Sequence, residues 1–297
     1  MIINSQNLAT LFASYSAAFK GAFEQATPDW SKVATLIPSA SESNLYGFLG
    51  QFPSLREWVG DRQIKNVAAH AYSVVNKPFE STVGVPKHKI EDDTYGVFST
   101  MMADMGYAAK MHPDELVFAL MAAGHTELCY DGQAFLDTDH PVIVNGAATT
   151  KDNYDATGAG ALWYLLDTRR PLKPFIFQKR EDYTFQQFVA PSDMHVFMRN
   201  EYLYGVNARA AAAFGLWQMA YGSLNDLSAA NYEAYLVKML SLKSDEGHPL
   251  NVRPNLCVVG PSNLAKAREL FEVPTLTGGA ANPHYNEVEV LVTPYLT

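Results

Sequence analysis

One short stretch carries the residue types most often used in metal chemistry: Asp137, Asp139 and His140 lie within four residues. Two carboxylates and an imidazole can hold a divalent metal ion, so the stretch is compatible with a metal-dependent hydrolase. No other segment points to the further ligands that such a centre needs. Asp side chains also accept hydrogen bonds in turns, and a His-Pro pair favours an extended bend. The sequence therefore favours a structural turn here, with the hydrolase kept as the alternative.

Other signatures of enzyme active sites are absent from the sequence. There is no Gly-x-Ser-x-Gly elbow, no phosphate-binding glycine loop, no His-Glu-x-x-His motif and no dinucleotide-binding glycine pattern. Gly260 and Pro261 precede a predicted helix, but proline is common at the first helical position for structural reasons. Cys129 and Cys257 lie far apart in apolar settings and are interpreted as buried hydrophobic residues. We predict no catalytic residue, no cofactor and no metal.

Composition narrows the class of protein. The chain has 297 residues, of which 48% are hydrophobic, 12% aromatic and 18% charged, so it is long enough to bury a sizeable core. Such an aromatic content is typical of large buried or interface surfaces. Two interpretations stay open: a monomer with a well-filled interior, or a subunit that buries much of its exterior against other chains.

The charge balance and the lack of long apolar runs exclude further classes. A net charge of −9 argues against a protein whose main task is to bind nucleic acid. The basic cluster at 169–180 is interpreted as a solvated strand face. No stretch approaches the roughly 18 apolar residues of a membrane span, and no signal peptide is apparent. We expect no membrane partner and a cytoplasmic site of synthesis.

The segment 53–90 is unusual because it alternates like a strand but has almost no continuous apolar run. Its return half, 79–90, contains Gly84 and Pro86, which suit an edge or a bend rather than a central strand. A two-stranded ribbon is only marginally stable in water by itself. We therefore expect this arm to lie on another surface, either its own body or a neighbouring copy.

Periodic apolar residues predict the elements on either side of the arm. A helix is predicted over 5–25, followed by turns over 27–52. After the arm, a helix is predicted over 92–124, with a cap at 92–94 and Pro113 restarting or kinking it.

The second half of the chain is predicted to mix strands and helices. Residues 145–160 are predicted to form a loop, and strands are predicted at 161–167 and 175–177. A helix–strand–helix–strand order over 227–297 predicts a compact α/β lobe.

Several longer stretches together carry a resemblance that no single motif carries. They are NSQNL at 4–8, LREWVGDR at 55–62, YDGQ at 130–133, DTDHP at 137–141, WYLLD at 163–167, LKPFIFQ at 172–178, YGVNAR at 204–209, GLWQMAYGS at 215–223 and VTPYL at 292–296. Over nearly its full length the chain resembles the Mu-like phage major head subunit family.

This resemblance implies an α+β fold, the Hong Kong 97-like major capsid fold. Its parts would be an N-terminal arm and helix at 1–52, an extended loop at 53–90, a peripheral domain at 91–226 with a spine helix at 92–124 and connecting strands, and an axial-type α/β domain at 227–297. Contacts between subunits are then expected on and beside the loop. The candidates are Arg56, Glu57, Trp58, Arg62, Lys65, Tyr72, Lys77, Phe79 and Lys87.

The resemblance also implies a role: the major capsid protein of a tailed, Mu-like phage, self-assembling as hexamers and pentamers into the icosahedral head that encloses double-stranded DNA. Expected partners are further copies of the chain, scaffold and portal proteins during assembly, decoration proteins, and packaged DNA bound without sequence specificity. The expected locations are the virion capsid and, during assembly, the host cytoplasm. Lys77 is suitably placed for a covalent crosslink, but no motif identifies its partner, so no crosslink is expected.

Two alternatives remain beside this role: the metal-dependent hydrolase, and another oligomeric phage structural protein, such as an adhesin or tail component, that forms rings or tubes.

The shell interpretation makes a specific prediction about the arm. Deleting residues 64–83 should leave a folded subunit that cannot close a stable shell.

Overall fold

The computed structural model describes residues 5–47, 72–92, 96–190, 192–244, 247–276 and 278–297. Its helices are α1 (Ser5–Gln25), α2 (Trp30–Val33), α3 (Lys87–Glu91), α4 (Val97–Ala122), α5 (Met194–Arg199), α6 (Ala229–Leu240) and α7 (Leu264–Phe271). Its strands are β1 (Ala34–Pro38), β2 (Ser43–Leu45), β3 (Ser73–Val75), β4 (Lys77–Pro86), β5 (His140–Val144), β6 (Ala147–Lys151), β7 (Tyr154–Asp155), β8 (Trp163–Leu166), β9 (Phe175–Phe188), β10 (Glu201–Phe214), β11 (Ala220–Ser223), β12 (Leu256–Val259) and β13 (Glu289–Val292).

A four-stranded sheet in the order β1-β9-β10-β4 runs along the molecule. Its two central strands, β9 and β10, are antiparallel and 14 residues long, or roughly 46 Å each. Along β10 every second side chain from Tyr202 to Ala210 is buried, as expected for a strand with one covered face. The local pattern predicted only 175–177 as strand in β9, because the later residues of that strand are mostly charged or polar.

The return half of the arm lies on this sheet. β4 pairs with β10 along its whole length, from Lys77 opposite Ala210 to Pro86 opposite Glu201. It is an edge strand, which confirms the interpretation of Gly84 and Pro86. The first half of the arm, up to residue 71, lies outside the described residues.

Strand β1, at the opposite edge of the sheet, was not predicted. The segment 27–52 was expected to form turns, but Ala34–Pro38 pairs in parallel with β9, Ala34 opposite Phe175. Five residues next to a proline carry too little local pattern to reveal a strand. The pairing partner, about 140 residues away along the chain, decides the conformation.

A second sheet has the order β13-β12-β8-β11-β7. Its three central strands are buried along their whole length. Of these, β8 and β12 are continuous apolar runs in the sequence, as is typical of strands covered on both faces. The sheet takes β7, β8 and β11 from before residue 226 and β12 and β13 from after it. The boundary expected at 226/227 therefore falls between strands of one sheet, and the expected domain limits stay a prediction.

The predicted loop at 145–160 was also wrong in part. Residues Ala147–Lys151 form β6, which pairs with β5 in a hairpin, and Tyr154–Asp155 forms β7 beside β11. The Asn145–Gly146 turn between β5 and β6 has positive φ at both residues, which suits a two-residue hairpin connection.

Helix α4 joins two hydrophobic cores. Its first half contributes Met102, Met105 and Ala109 to a distal core with α1 and the outer part of β9, β10 and β4. Its second half contributes Val117, Phe118 and Met121 to a main core with the five-stranded sheet, α6 and α7. At 26 residues, or roughly 39 Å, the helix is long enough to reach both.

The ends and the middle of α4 differ from the prediction. The helix begins at Val97, after Gly96 in the left-handed region at φ 67°, rather than at residue 92. Asp92 instead follows α3, and 93–94 of the expected cap lie outside the described residues. Pro113 lies inside one continuous helix. The neighbouring Asp114 carboxylate accepts hydrogen bonds from the backbone N–H groups of Asp29 and Trp30, which fixes the start of α2 against α4.

Helix α1 has the bounds that the sequence predicted. None of the helices in the described ranges is both long enough and apolar enough to cross a bilayer.

Close packing of α1 on α4 generates a stability prediction. A Cβ added at Gly106 in α4 would lie 2.2 Å from the backbone oxygen of Phe19 in α1, and backbone cannot swing aside as a side chain can. We expect Gly106→Ala to lower the free energy of unfolding by about 1–3 kcal/mol. Urea denaturation measures this change in the free energy of unfolding.

Gly21→Ala is the matched control, because Gly21 lies in α1 with nothing within 4 Å of an added Cβ. It should raise the free energy of unfolding by about 0.5–1 kcal/mol through helix propensity. A Gly106→Ala protein as stable as Gly21→Ala would contradict the close contact.

Candidate functional site

The three residues first considered for metal chemistry do not converge. The side chain of His140 is fully buried and its ring stacks on Trp217, with ring centroids 4.0 Å apart. Asp139 is exposed, and the adjacent Asp137 carboxyl raises the pKa of Asp139. The Asp137 carboxylate accepts the backbone N–H of Thr138. The stretch is thus the turn that the sequence favoured.

His140 contacts two side chains that the sequence analysis did not connect with it. Its Nδ1 lies 2.7 Å from Asp131 Oδ2, and its Nε2 lies 3.2 Å from Asn153 Oδ1. Asp131 Oδ1 also accepts the Cys129 thiol at 3.0 Å. Asp131 appeared in the sequence only as half of an Asp-Gly turn, and no local signal pointed to Asn153.

Asn153 is the centre of this buried network. Its amide nitrogen donates to the backbone oxygens of Phe135 and Trp217, at 2.8 and 3.3 Å, which fixes the orientation of the amide. Its Oδ1 accepts the backbone N–H of Asp137 at 2.9 Å. The side chain therefore ties three separate segments of chain to one another beneath the second sheet.

His140 lies between two side-chain oxygen atoms, Asp131 Oδ2 and Asn153 Oδ1. Burial alone would raise the pKa of Asp131, but hydrogen bonds from His140 and Cys129 outweigh it and hold that pKa below its usual value. The contact between His140 and Asp131 is buried, with side chains 0% and 6% exposed.

Cys129, Asp131 and His140 also present one ligand-type atom each within 4.8 Å of one another. Their contacts of 2.7 and 3.0 Å are hydrogen-bond distances, whereas two ligands of one tetrahedral zinc lie about 3.3 Å apart or more. Burial raises the pKa of the Cys129 thiol, which keeps it protonated rather than a thiolate ligand. These three residues fit a structural hydrogen-bond network better than a metal centre.

The second set of candidates comprises the expected contacts between subunits. Arg56, Glu57, Trp58, Arg62 and Lys65 lie outside the described residues.

The other four candidates occupy different positions on the subunit. The Tyr72 hydroxyl accepts the backbone N–H of Phe214, and burial raises the pKa of Tyr72 to about 12. Half-buried Phe79 packs edge-on against His112 on α4, with ring centroids 4.3 Å apart. Lys77 is exposed at the start of β4, and Lys87 begins α3. Their part in contacts between subunits stays a prediction.

Residues on both sides of the segment 48–71 form a stem. β2 and β3 pair antiparallel, with Leu45 opposite Ser73, and the Tyr46 N–H donates to the Tyr72 oxygen at 2.8 Å. The chain therefore leaves and returns to the body at neighbouring positions. Asn76 reinforces the stem, since its side-chain nitrogen donates to the backbone oxygens of Ser41 and Glu42.

Sequence reasoning missed one surface. The end of β9 and its connection to β10 carry four large, exposed apolar side chains, which we call the apolar tip: Phe188, Met194, Phe197 and Met198. No helix was predicted at 194–199, so the helical spacing of the last three was not noticed.

Comparison with known proteins gives one consistent answer. The family model of the Mu-like prophage major head subunit gpT matches residues 8–296. The chain is 39% identical over 308 aligned residues to the major capsid protein of Escherichia phage Mu, covering 100% of both proteins.

Solved structures agree with this match. A subunit of the procapsid of bacteriophage JBD30 is 48% identical, with a TM-score of 0.88 over 99% of this chain and 100% of that one. A subunit of the JBD30 capsid decorated with minor capsid protein trimers is 38% identical, with a TM-score of 0.77 over 92% of each chain.

The buried network predicts a pH-dependent stability effect of Asp131→Asn. The substitution should lower the free energy of unfolding by about 1–3 kcal/mol at pH 7, because it replaces a buried carboxylate that accepts hydrogen bonds from His140, Cys129 and the Gln133 N–H. The pKa of Asp131 is lowered in the folded state, so its contribution is present above the unfolded value near 3.9 and is lost as the pH falls through the folded value. Urea midpoints of the two proteins should therefore converge below about pH 4.

Asp139→Asn is the matched control, since this neighbouring carboxyl is exposed; its urea midpoint should equal that of the unmodified chain. Equal midpoints for Asp131→Asn and the unmodified chain at pH 7 would show that the network adds nothing to stability.

Proposed function

Because the chain belongs to the family of Mu-like prophage major head subunits, we propose that it forms the shell of a tailed phage head, as hexamers and pentamers in an icosahedral arrangement. The observation that carries the proposal is the match over the whole chain to a major capsid protein and to procapsid and capsid subunits. The α+β capsid fold expected from the sequence is confirmed by the same match. The hydrolase alternative has no support, because Asp137, Asp139 and His140 do not form a shared site.

The exposed edge of β4 suits a shell subunit. Most of its side chains are exposed, and it is the last strand of its sheet. An outer strand offers backbone N–H and C=O groups on which a neighbouring chain can pair. In a shell, many such contacts of modest strength add up, because each copy already bound raises the local concentration of the next surface.

The stem formed by β2 and β3 supports the proposed role of 53–90 as the extended loop. It brings both ends of the segment to one place on the body. We propose that the segment contacts neighbouring copies through Arg56, Trp58 and Arg62. The peripheral and axial domains of the family fold then correspond best to the distal and main cores, rather than to a division at residue 226.

The partners follow from this role. Other copies come first, with scaffold and portal proteins during assembly in the host cytoplasm and decoration proteins on the finished head. Packaged double-stranded DNA would be held weakly and without sequence preference, which suits a chain with a net charge of −9. We propose no catalytic role and no covalent crosslink through Lys77, so assembled shells should give a single band of subunit mass on denaturing gels.

The structure corrects the deletion that tests the loop. Removing residues 64–83 would also take away most of β4 and expose β10, so loss of folding and loss of assembly would be confused. Replacing residues 48–70 by Asn-Gly leaves β2, β3 and β4 intact and joins Tyr46 to Tyr72 by a four-residue connection.

We expect this shortened chain to fold with a circular dichroism spectrum and a urea midpoint close to those of the unmodified chain. When expressed with the scaffold protein, it should form no closed shells by negative-stain microscopy, whereas the unmodified chain does. Closed shells of normal thermal stability from the shortened chain would disprove the role of the loop. Rings or tubes from the unmodified chain would instead favour a tail or adhesin component.

A further inference from the structure

The apolar tip contains a short helix, α5, whose apolar face is exposed to solvent. In α5, Met194, Phe197 and Met198 occupy positions i, i+3 and i+4, which places them on one face. They are 77%, 80% and 70% exposed, and Phe188 beside them at the end of β9 is 59% exposed. None of the six residues of α5 is buried. An apolar helix face normally covers a core, but none of the described residues of the subunit covers this one.

Other residues hold α5 in place. Val196, on the opposite side of the helix, packs against the distal core. His195 Nε2 lies 3.2 Å from Glu201 Oε2, and the Asn200 carbonyl accepts the Lys87 N–H at 3.0 Å. Asp193 accepts the Ala190 N–H at 3.0 Å, closing the turn that precedes the helix. The subunit therefore presents the tip in a defined conformation without using its four apolar side chains.

The tip lies where it can reach another molecule. β9 and β10 leave the main core at Phe175 and Phe214 and connect at the tip, roughly 46 Å away. It is thus the far end of the four-stranded sheet, next to the end of the exposed edge strand β4, whose Pro86 is opposite Glu201.

The size of the patch indicates the kind of contact. Four large side chains at these exposures present roughly 500 Å² of apolar surface, comparable to the largest apolar patch of a typical monomer, which is often a functional surface. A stable dimer needs about 800 Å² from each partner. The tip alone is too small to hold two subunits together in solution, but sufficient for one contact among many in a closed assembly.

We propose that the apolar tip docks on a second copy of this chain, and that this contact forms only within the assembled shell. The inference rests on the proposed function and deepens it: it assigns Phe188, Met194, Phe197 and Met198 as interface residues that the sequence did not single out. The subunits should accordingly remain unassociated through the tip when free.

Oxidation of methionine tests the proposal on the unmodified chain. Free subunits and shells assembled from this chain and its scaffold are treated with dilute hydrogen peroxide, and sulfoxide formation is followed by mass spectrometry. Met194 and Met198 should oxidise at least fivefold more slowly in shells than in free subunits. Buried Met121 and Met219 serve as internal references, slow in both states. Equal rates for Met194 and Met198 in the two states would overturn the proposal.

A pair of variants tests whether the contact matters for assembly. Phe197→Gln with Met198→Gln removes the apolar face, while Phe197→Leu with Met198→Leu keeps it. Both side chains are exposed, so circular dichroism and urea midpoints should match those of the unmodified chain in both variants. We expect at least a tenfold lower yield of shells from the glutamine variant and an unchanged yield from the leucine variant.

The outcomes separate this inference from the proposed function. If the unmodified chain forms no shells, the proposed function fails. If it forms shells and the glutamine variant does so equally well, only the docking of the tip is disproved. Protection of Met194 and Met198 that requires an added decoration protein would likewise overturn it, because the occupant would then be another protein.

Discussion

The antiparallel pairing of β9 with β10 is the constraint on which the rest of the subunit depends. These strands enter the main core at one end, cover the distal core at the other, and carry β1 and β4 on their outer edges. α4 crosses the same distance on one face. A chain built in this way is long rather than spherical, and it leaves edges and ends that one subunit cannot cover by itself.

Local pattern was sufficient where an element buries its own apolar face. The pattern predicted α1 at its observed bounds and the helix–strand–helix–strand order of α6, β12, α7 and β13. The Ser228 hydroxyl caps α6 by accepting the Asn231 N–H at 3.3 Å. Local pattern was insufficient where pairing with a distant strand determines the conformation of a segment. β1 exists because β9 lies beside it, and the outer half of β9 is a strand because β10 pairs with its polar residues. The second sheet is a further example, since it gathers strands from widely separated parts of the chain.

For the polar network around His140, too, the sequence indicated some of the residues but not their contacts. Residue type and close spacing drew attention to Asp137, Asp139 and His140, but chemistry depends on distance in space. The true partners of His140, Asp131 and Asn153, are nine and thirteen residues away and belong to other segments. Only the fold reveals that Asn153 has no spare hydrogen-bonding capacity to offer a substrate. The apolar tip is the converse case: its residues are adjacent in sequence, yet their importance depends on their exposure, which sequence cannot report.

The stem of β2 and β3 has a consequence for how such proteins diverge. Because the stem closes at Tyr46 and Tyr72, the pairing of β2 with β3 does not depend on the number of residues between them. The entropy cost of closing a loop grows slowly, by about 0.6 kcal/mol for each doubling of its length. Insertions at this point are therefore nearly neutral for the folded subunit, while they change how far it reaches over its neighbours. Such insertions can therefore change the contacts between subunits, and with them the size and stability of the shell, while the fold of the subunit stays the same.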